Sequence, residues 1–211
     1  MQIDRSEVLR YMGYRDPGRS LNEARRRELE EKIEAVLPLL EREASPRHVC
    51  RIFPLSLSAP EGETPVLQIG PLTVASSDLA KNLRGCTEAA VLAATLGLGP
   101  DRLLRQAGQR SLFEMSLLQA AAAAMIEAYT DECNEAIRRE AASRGLTARP
   151  RFSPGYGDLS LTLQRGIFRV LQLPRTIGLT LTDSLMMVPS KSVTALIGLA
   201  PKEGGSHDFT R

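Results

Sequence analysis

The chain has 211 residues, of which 43% are hydrophobic and 25% charged, a composition typical of a folded globular domain with room for a helical extension. Its 27 Lys and Arg residues nearly balance its 25 Asp and Glu residues, so no positive excess favours a nucleic acid or an anionic membrane surface as partner. With 2 His, 3 Cys and no Trp, the chain is poor in the residues on which metal sites, serine hydrolases and base-stacking platforms depend.

The first 44 residues are predicted to form a helical segment that packs on the main domain. A short helix is expected over 4–12, and turn-forming residues at 13–18 end it. Ser20 and Glu23 have the spacing of a capping box, in which each side chain bonds the free backbone N–H of the other. Apolar residues then recur at helical spacing up to Leu40, opposite a face of mixed charge that is expected to be solvated.

The middle of the chain is predicted to contain the sheet. Short β-like segments over 49–57 and 66–74 are interrupted by prolines, and a short capped helix is expected over 77–83. The run 89–96 is nearly all apolar and of strand length, so it is predicted to be a central strand buried on both faces. Glycines end this strand and lead into a helix over 101–109.

The longest predicted helix covers 111–143. Apolar side chains recur at steps of three and four along one stripe of this helix. On another side, alanines surround Glu127, where a carboxylate is costly unless it meets a hydrogen-bond donor or a cation. An ordinary exposed Glu beside a loosely packed alanine patch fits the same pattern.

The C-terminal part is predicted to combine a shaped loop, a helix and two strands. Residues 150–158 hold two prolines and two glycines and cannot be helical. A helix is expected over 160–171, strands over 177–188 and 192–199 with a turn at Pro189, and a flexible tail over 201–211.

The cysteines and the hydrophobic runs indicate the cytoplasm. Cys50, Cys86 and Cys133 are odd in number and form no C-x-x-C pair, which favours reduced thiols over disulfides or a zinc site. The N-terminus is charged where a signal peptide needs an apolar core, and no apolar helical run reaches the length that crosses a bilayer. No membrane association is therefore expected.

Arg151, at the start of the 150–158 loop, is the leading candidate for ligand binding. Its guanidinium group can bind a carboxylate or a phosphate through two parallel hydrogen bonds, while Gly155 and Gly157 allow a ligand close to the backbone. The backbone polar groups of 153–156 are suited to a purine edge. A plain connecting loop that carries one Arg fits the same spacing, and no hydrolase, P-loop or Rossmann motif is present.

Two motifs in order resemble the activation (reactivation) domain of cobalamin-dependent methionine synthase. They are Arg151-Phe-Ser-Pro-Gly-Tyr156 and Leu181-Thr-Asp-Ser-Leu-Met-Met-Val-Pro189, the latter followed by Ser192-Val193. The family has an R-x-x-x-G-Y loop that binds S-adenosylmethionine and a later T-E-S-x-x-M-x-P segment followed by S-V-S. Together with the helix around Glu127, the resemblance covers roughly residues 45 to 199. The chain looks like the short free-standing members of this family.

The resemblance implies an α+β fold, with a twisted, mainly antiparallel sheet and long flanking helices, in a domain over 45–200. It also implies a ligand site without catalytic side chains or a metal. Arg151 would hold the carboxylate of S-adenosylmethionine, Glu127 would face the ligand or the cobalamin, and the adenosyl part would lie on a loop. The remaining implied site residues are Ser153, Pro154, Gly155 and Tyr156 in that loop, and Thr182, Asp183 and Ser184 near the site.

The sequence departs from the family at three places. No motif locates the family's N-terminal Asp, which takes the amino group of S-adenosylmethionine. Val188 stands where the family has a Trp, and 198–200 lacks the tyrosines that follow the last strand in the family. The resemblance therefore supports the ligand loop better than the surface that faces cobalamin.

The implied function is reductive methylation of cobalamin, which reactivates methionine synthase in methionine biosynthesis. The D-x-H-x-x-G motif that ligates cobalamin is missing, so a cobalamin-binding methionine synthase or another corrinoid protein is expected as partner, together with a flavodoxin-like reductant. The chain would then be an auxiliary part of a methyltransferase rather than a self-contained enzyme. The alternatives are an activator of another corrinoid methyltransferase and a non-catalytic S-adenosylmethionine-binding scaffold or sensor.

Overall fold

The computed structural model describes residues 3–14, 22–58 and 61–202. The helices are α1 (Arg5–Tyr11), α2 (Glu23–Glu43), α3 (Ser77–Asn82), α4 (Gly99–Gly108), α5 (Leu112–Ser143), α6 (Leu163–Leu171) and α7 (Leu173–Thr176). The strands are β1 (Arg47–Ser58), β2 (Val66–Ile69), β3 (Leu72–Ala75), β4 (Glu88–Thr95), β5 (Leu146–Ala148), β6 (Thr180–Leu181), β7 (Met187–Val188) and β8 (Ser192–Pro201). Six strands form one sheet in the order β3-β2-β1-β4-β8-β5, and β6 pairs with β7.

The sheet confirms the predicted α+β class. The β1–β2, β2–β3 and β5–β8 pairs are all antiparallel. β4 lies between β1 and β8, and residues 89–95 are all buried, which confirms the predicted central strand. A strand with two neighbours and no solvent-facing side needs small and aliphatic side chains throughout, as its alanine-rich sequence provides.

The sequence pattern predicts a single β-like segment over 66–74, but these residues form a tight hairpin of two strands. Ile69 pairs with Leu72, and Gly70 between them has a positive φ of 51°. A Cβ atom at Gly70 would lie 2.5 Å from the ring of Phe53, so the turn needs both the conformational freedom and the small size of glycine.

The described residues fall into two compact units, between which the chain passes several times. The first unit comprises Met1–His48, Ala94–Glu132 and Ile177–Val193, and the second comprises Val49–Ala93, Cys133–Thr176 and Thr194–Arg211.

The first unit has a helical core. Buried side chains of α1, α2 and the N-terminal part of α5 meet in one cluster that includes Leu9, Ile33 and Met125. The Oδ1 atom of Asn22 accepts a hydrogen bond from the backbone N–H of Arg25 at 2.8 Å and so caps α2, which begins at Glu23. The predicted capping box involves Ser20, which lies outside the described residues.

The charged face of α2 carries ion pairs between successive turns, as in Arg26–Glu30 at 2.8 Å, so the prediction of a solvated face is confirmed. At the other end of α2, Glu43 O lies so close to Gly99 that a side chain at the start of α4 would collide with it. The contact between α2 and α4 therefore requires glycine at this position.

Two sequence expectations for the C-terminal part are corrected. The sequence pattern predicts one strand over 177–188, but only Thr180–Leu181 and Met187–Val188 pair, as the two arms of a hairpin. β8 extends through Pro201, beyond the predicted 192–199, and the rest of the predicted tail, 203–211, lies outside the described residues, as do 15–18 of the predicted turn. Within the described ranges, no helix combines the length and the hydropathy that crossing a bilayer requires.

Candidate functional site

A β-bulge directs the chain into the loop that begins at Arg151. β5 pairs with β8 in a regular antiparallel register that places Ala148 opposite Leu199, and the Arg149 N–H continues it by donating to Gly198 O at 2.8 Å. In that register residue 151 would face Leu196. Phe152 occupies this place instead, with two reciprocal backbone hydrogen bonds of 2.8 Å.

One extra residue is therefore inserted between Arg149 and Phe152. Pro150 has no N–H to donate, which suits the interrupted ladder of a bulge. Because successive side chains on a strand alternate between faces, the insertion reverses the side on which every later side chain of the strand lies. Arg151 is half-buried at the point of this reversal.

The loop is closed by its own backbone hydrogen bonds. Tyr156 N–H donates to Ser153 O at 3.2 Å, Gly155 N–H donates to Leu159 O at 2.9 Å, and Leu159 N–H donates to Tyr156 O at 3.0 Å. The positive φ of 94° at Gly155 makes the turn possible. Pro154 is buried, whereas the Tyr156 side chain is 70% exposed.

The backbone groups that remain available in the loop differ from the sequence expectation. The N–H groups of Gly155 and Tyr156 are used inside the loop. In the described part of the chain, the carbonyl oxygens of Pro154 and Gly155 accept no hydrogen bond. Such carbonyl groups match a donor such as the exocyclic amino group of adenine.

Asp158 fastens the end of the loop to the start of α3. Its carboxylate accepts hydrogen bonds from Ser76 Oγ, from Ser77 N–H at 2.7 Å and from Asp78 N–H at 3.2 Å. Ser76 is itself the N-cap of α3 and accepts from Leu79 N–H at 3.0 Å. These bonds, that of Ser76 first, hold the pKa of Asp158 below its usual value.

Gly157 and Asp78 complete the attachment. Asp158 N–H donates to Asp78 Oδ2 at 3.3 Å, so the two aspartates exchange hydrogen bonds. Gly157 has φ 54°, and a Cβ atom there would collide with the same Oδ2 atom. The second glycine of the loop is thus required by close packing, rather than by an approaching ligand alone.

Glu127 and the segment Thr182, Asp183 and Ser184 belong to the first unit. Glu127 is half-buried on α5, next to the fully buried Met125 and the nearly buried Ile126. Thr182 organises the turn between β6 and β7, since its Oγ1 atom lies 3.0 Å from Ser184 Oγ and accepts from Met186 N–H at 3.0 Å. Leu185 in this turn has a positive φ of 64°, which is uncommon for a bulky residue.

The structure thus brings Arg151, Ser153, Pro154, Gly155 and Tyr156 into one loop of the second unit, and Thr182, Asp183 and Ser184 into one turn of the first. Asp158 and Ser76, which fix the end of the loop, are not among the residues that the sequence pattern predicts. The signals available were an acidic residue directly after Gly-Tyr-Gly and a serine three residues before Leu79, the spacing of an N-cap. Within the described ranges, no three His, Cys, Asp or Glu residues lie together as metal ligands.

The thiols of Cys50 and Cys86 have raised pKa values and are poor nucleophiles. Burial raises the pKa of Cys50 to about 11, helped by the charge of Glu140. Burial also raises the pKa of Cys86, although a hydrogen bond and the positive charge of Arg149 oppose this. At neutral pH such thiols are protonated, so neither has the activated thiolate that a nucleophile requires.

Comparison with known proteins gives one family and one fold. The model of the family described as vitamin B12 dependent methionine synthase, activation domain, matches residues 73–204, more than half of the chain. No curated protein matches the sequence significantly. A solved structure, the crystal structure of the MetH reactivation domain bound to AdoHcy, has a TM-score of 0.70 and 18% sequence identity over 95% of this chain and 74% of that chain. At this identity the match shows a shared fold.

Proposed function

Because this chain belongs to the family of the vitamin B12-dependent methionine synthase activation domain, we propose that it binds S-adenosylmethionine and supports reductive methylation of cobalamin held by a separate methionine synthase. The family match over 73–204 carries this proposal, since it includes the whole 150–158 loop and the β6–β7 turn. The structure of the MetH reactivation domain with AdoHcy is consistent with a ligand of this class.

The chemical groups of the loop suit S-adenosylmethionine. The guanidinium group of Arg151 matches the ligand carboxylate. The carbonyl groups of Pro154 and Gly155, which accept no hydrogen bond from the described residues, match the adenine amino group. Tyr156 offers an exposed ring for contact with the adenosyl part. Ser153 accepts the Tyr156 N–H through its carbonyl group and so keeps the turn closed.

Glu127, Thr182, Asp183 and Ser184 are proposed as further residues of the site, following the family motifs. A carboxylate on the alanine-rich part of α5 is suited to the positive sulfonium or amino group of the ligand. The turn at Thr182 is held by its own hydroxyl bonds, so its shape is set before any ligand arrives.

In this proposal the residues of the chain position and polarise S-adenosylmethionine, and none of them reacts with it. When bound to its partner, cobalamin supplies the metal centre that is reduced and that accepts the methyl group. The reaction therefore needs no general acid, base or nucleophile from this chain, in keeping with thiols of raised pKa. The proposed partners are a cobalamin-binding methionine synthase, or another corrinoid protein, and a flavodoxin-like reductant.

The test is calorimetric titration with S-adenosylmethionine. Arg151→Ala is expected to weaken binding at least tenfold, because a charge-assisted bidentate hydrogen bond is lost, and Arg151→Lys is expected to lie between the two. Arg138→Ala, which removes an exposed helix arginine paired with Glu135, is the matched control and is expected to bind like the wild type. Equal affinity of Arg151→Ala and wild type would overturn the site.

A second assay separates the proposed role from the alternatives. Methylation of cobalamin by S-adenosylmethionine is followed in the presence of this chain, a reductant and either methionine synthase or another corrinoid protein. Activity with methionine synthase supports the leading role, and activity only with another corrinoid protein identifies a different activator. Tight ligand binding without methylation in any mixture indicates a scaffold or sensor.

A further inference from the structure

A basic cavity of about 510 Å³ opens at the C-terminal end of α3, in the second unit. Its described lining residues are Lys81, Asn82, Arg84 and Arg149. Three of these four side chains are cationic, and all three are solvent-exposed. A solute that enters this cavity meets positive charge from two segments that are distant in sequence.

Arg149 is held in position before any ligand binds. Its backbone N–H donates to Gly198 O at 2.8 Å, at the last regular step before the bulge. Its Nη2 atom donates to Arg84 O at 3.3 Å, and its positive charge acts to lower the pKa of the nearby Cys86 thiol. A guanidinium group has five N–H donors, so the contact with Arg84 O leaves donors available to a ligand.

The charges of the two arginines in the cavity are not neutralised by any described carboxylate. In the described part of the chain, neither Arg84 nor Arg149 forms an ion pair with a carboxylate, and Lys81 pairs with Asp78 at 3.3 Å. Cations that share a cavity repel each other unless an anion joins them. The negative end of the α3 dipole offsets part of this repulsion, but a helix terminus is equivalent to only about half a charge.

We propose that this basic cavity binds an oxyanion, and specifically the phosphate group of a small molecule. Two arginine side chains match the oxygen atoms of phosphate through paired hydrogen bonds, and a lysine adds a third cation. None of the four described lining residues is aromatic, so the site recognises the anion rather than a stacked base. The attachment of the loop differs from the cavity, because the carboxylate of Asp158 already accepts hydrogen bonds from Ser76 and its neighbours.

The site shares no residue with the 150–158 loop, although Arg149 directly precedes that loop, and it does not rest on the proposed function. The loop is attached to the N-terminal end of α3 through Ser76, Ser77 and Asp78. The cavity lies at the other end of this helix of 6 residues, roughly 9 Å away along the helix axis at about 1.5 Å per residue. One short helix thus has the loop at one end and the basic cavity at the other.

The test is titration of the full chain with inorganic phosphate and with pyrophosphate, at constant ionic strength, by calorimetry. The double variant Arg84→Gln/Arg149→Gln is expected to bind at least tenfold more weakly than the wild type. The double variant Arg138→Gln/Arg139→Gln removes the same net charge from α5 and is expected to retain binding. Thermal melting establishes that each variant is folded, and Arg149→Lys, which keeps the charge but loses the fork, is expected to bind with intermediate affinity.

Each outcome decides the proposal. Weaker binding in the Arg84/Arg149 variant alone supports it. No phosphate binding by the wild type, or equal loss in both double variants, overturns it, because attraction would then come from overall charge. A glutamate-rich peptide is titrated in parallel, and binding of this peptide without phosphate binding would instead identify a surface for an acidic protein. If the Arg84/Arg149 variant does not fold, unchanged affinity in Arg149→Lys overturns the arginine fork.

Discussion

Replacing Gly157 with Ala tests whether the loop binds the proposed ligand, S-adenosylmethionine, through one fixed shape. Gly157 has φ 54°, and its missing side chain leaves room for Asp78 Oδ2. A non-glycine residue in this left-handed region costs about 1–2 kcal/mol. The new methyl group would also force Asp78 away from Asp158 N–H, which now donates to it at 3.3 Å, at a cost of about 0.5–1.5 kcal/mol for a typical hydrogen bond.

The summed cost is about 1.5–3.5 kcal/mol, borne by the loop conformation that is proposed to bind. If only this conformation binds S-adenosylmethionine, the affinity falls in proportion to its population, by about 10- to 350-fold. Calorimetry measures the affinity, and thermal melting shows whether the rest of the chain remains folded.

Two controls isolate the cause. Gly145→Ala has a similar positive φ of 72° but no atom within 4 Å of the new Cβ, and it lies outside the loop. It is expected to lower the melting temperature without changing the affinity. In an Asp78→Ala background the collision is absent, so Gly157→Ala is expected to cost less there than in the wild type. Wild-type affinity in Gly157→Ala would refute the fixed-shape reasoning.

Three further predictions concern the pH response, the thiols and the core. Hydrogen bonds in the folded chain lower the pKa of Asp158 from its ordinary value of 3.8. The ionised carboxylate therefore stabilises the fold fully above pH 3.8, and this stabilisation is lost as the pH falls through the lowered pKa of the folded state. Tyrosine fluorescence should show this acid transition in the wild type and a smaller one in Asp158→Asn; identical transitions would contradict it. With a pKa of about 11, Cys50 should be alkylated by iodoacetamide slowly at pH 8, and the rate should rise about tenfold per pH unit. Alkylation of Cys50 at the rate of an ordinary exposed thiol would contradict its raised pKa. Met125→Ala, at a fully buried site, should lower the free energy of unfolding measured in urea by about 2–5 kcal/mol. Leu112→Ala, at a site that is 74% exposed, should change it by less than about 0.5 kcal/mol. Equal effects of the two substitutions would show that Met125 does not lie in the core.

The sequence is most informative where structure depends on local pattern. The apolar run at 89–96, the long helix over 111–143 and the non-helical loop at 150–158 are all present in the structure. In each case one short-range property decides the outcome, namely continuous hydrophobicity, helical periodicity or proline and glycine content.

The failures occur where the partner lies far away along the chain. The bulge at Pro150 is defined only by pairing with β8, and Asp158 acts on Ser76 from 82 positions away. The sequence pattern predicts one strand at the hairpin over 180–188, because the two arms together have the alternation of a single strand. Its turn uses Leu185 at a positive φ, without the glycine that would have indicated it.

The extra residue at the start of the loop has a consequence for engineering. A loop grafted onto another sheet by copying only the Arg-Phe-Ser-Pro-Gly-Tyr letters would inherit the register of its new neighbour, and its side chains would emerge on the wrong surface. The transferable unit includes the Pro150 insertion and the stretch of β8 that faces it. The orientation of the loop's side chains is thus encoded partly by residue count, a property that substitution of side chains leaves untouched.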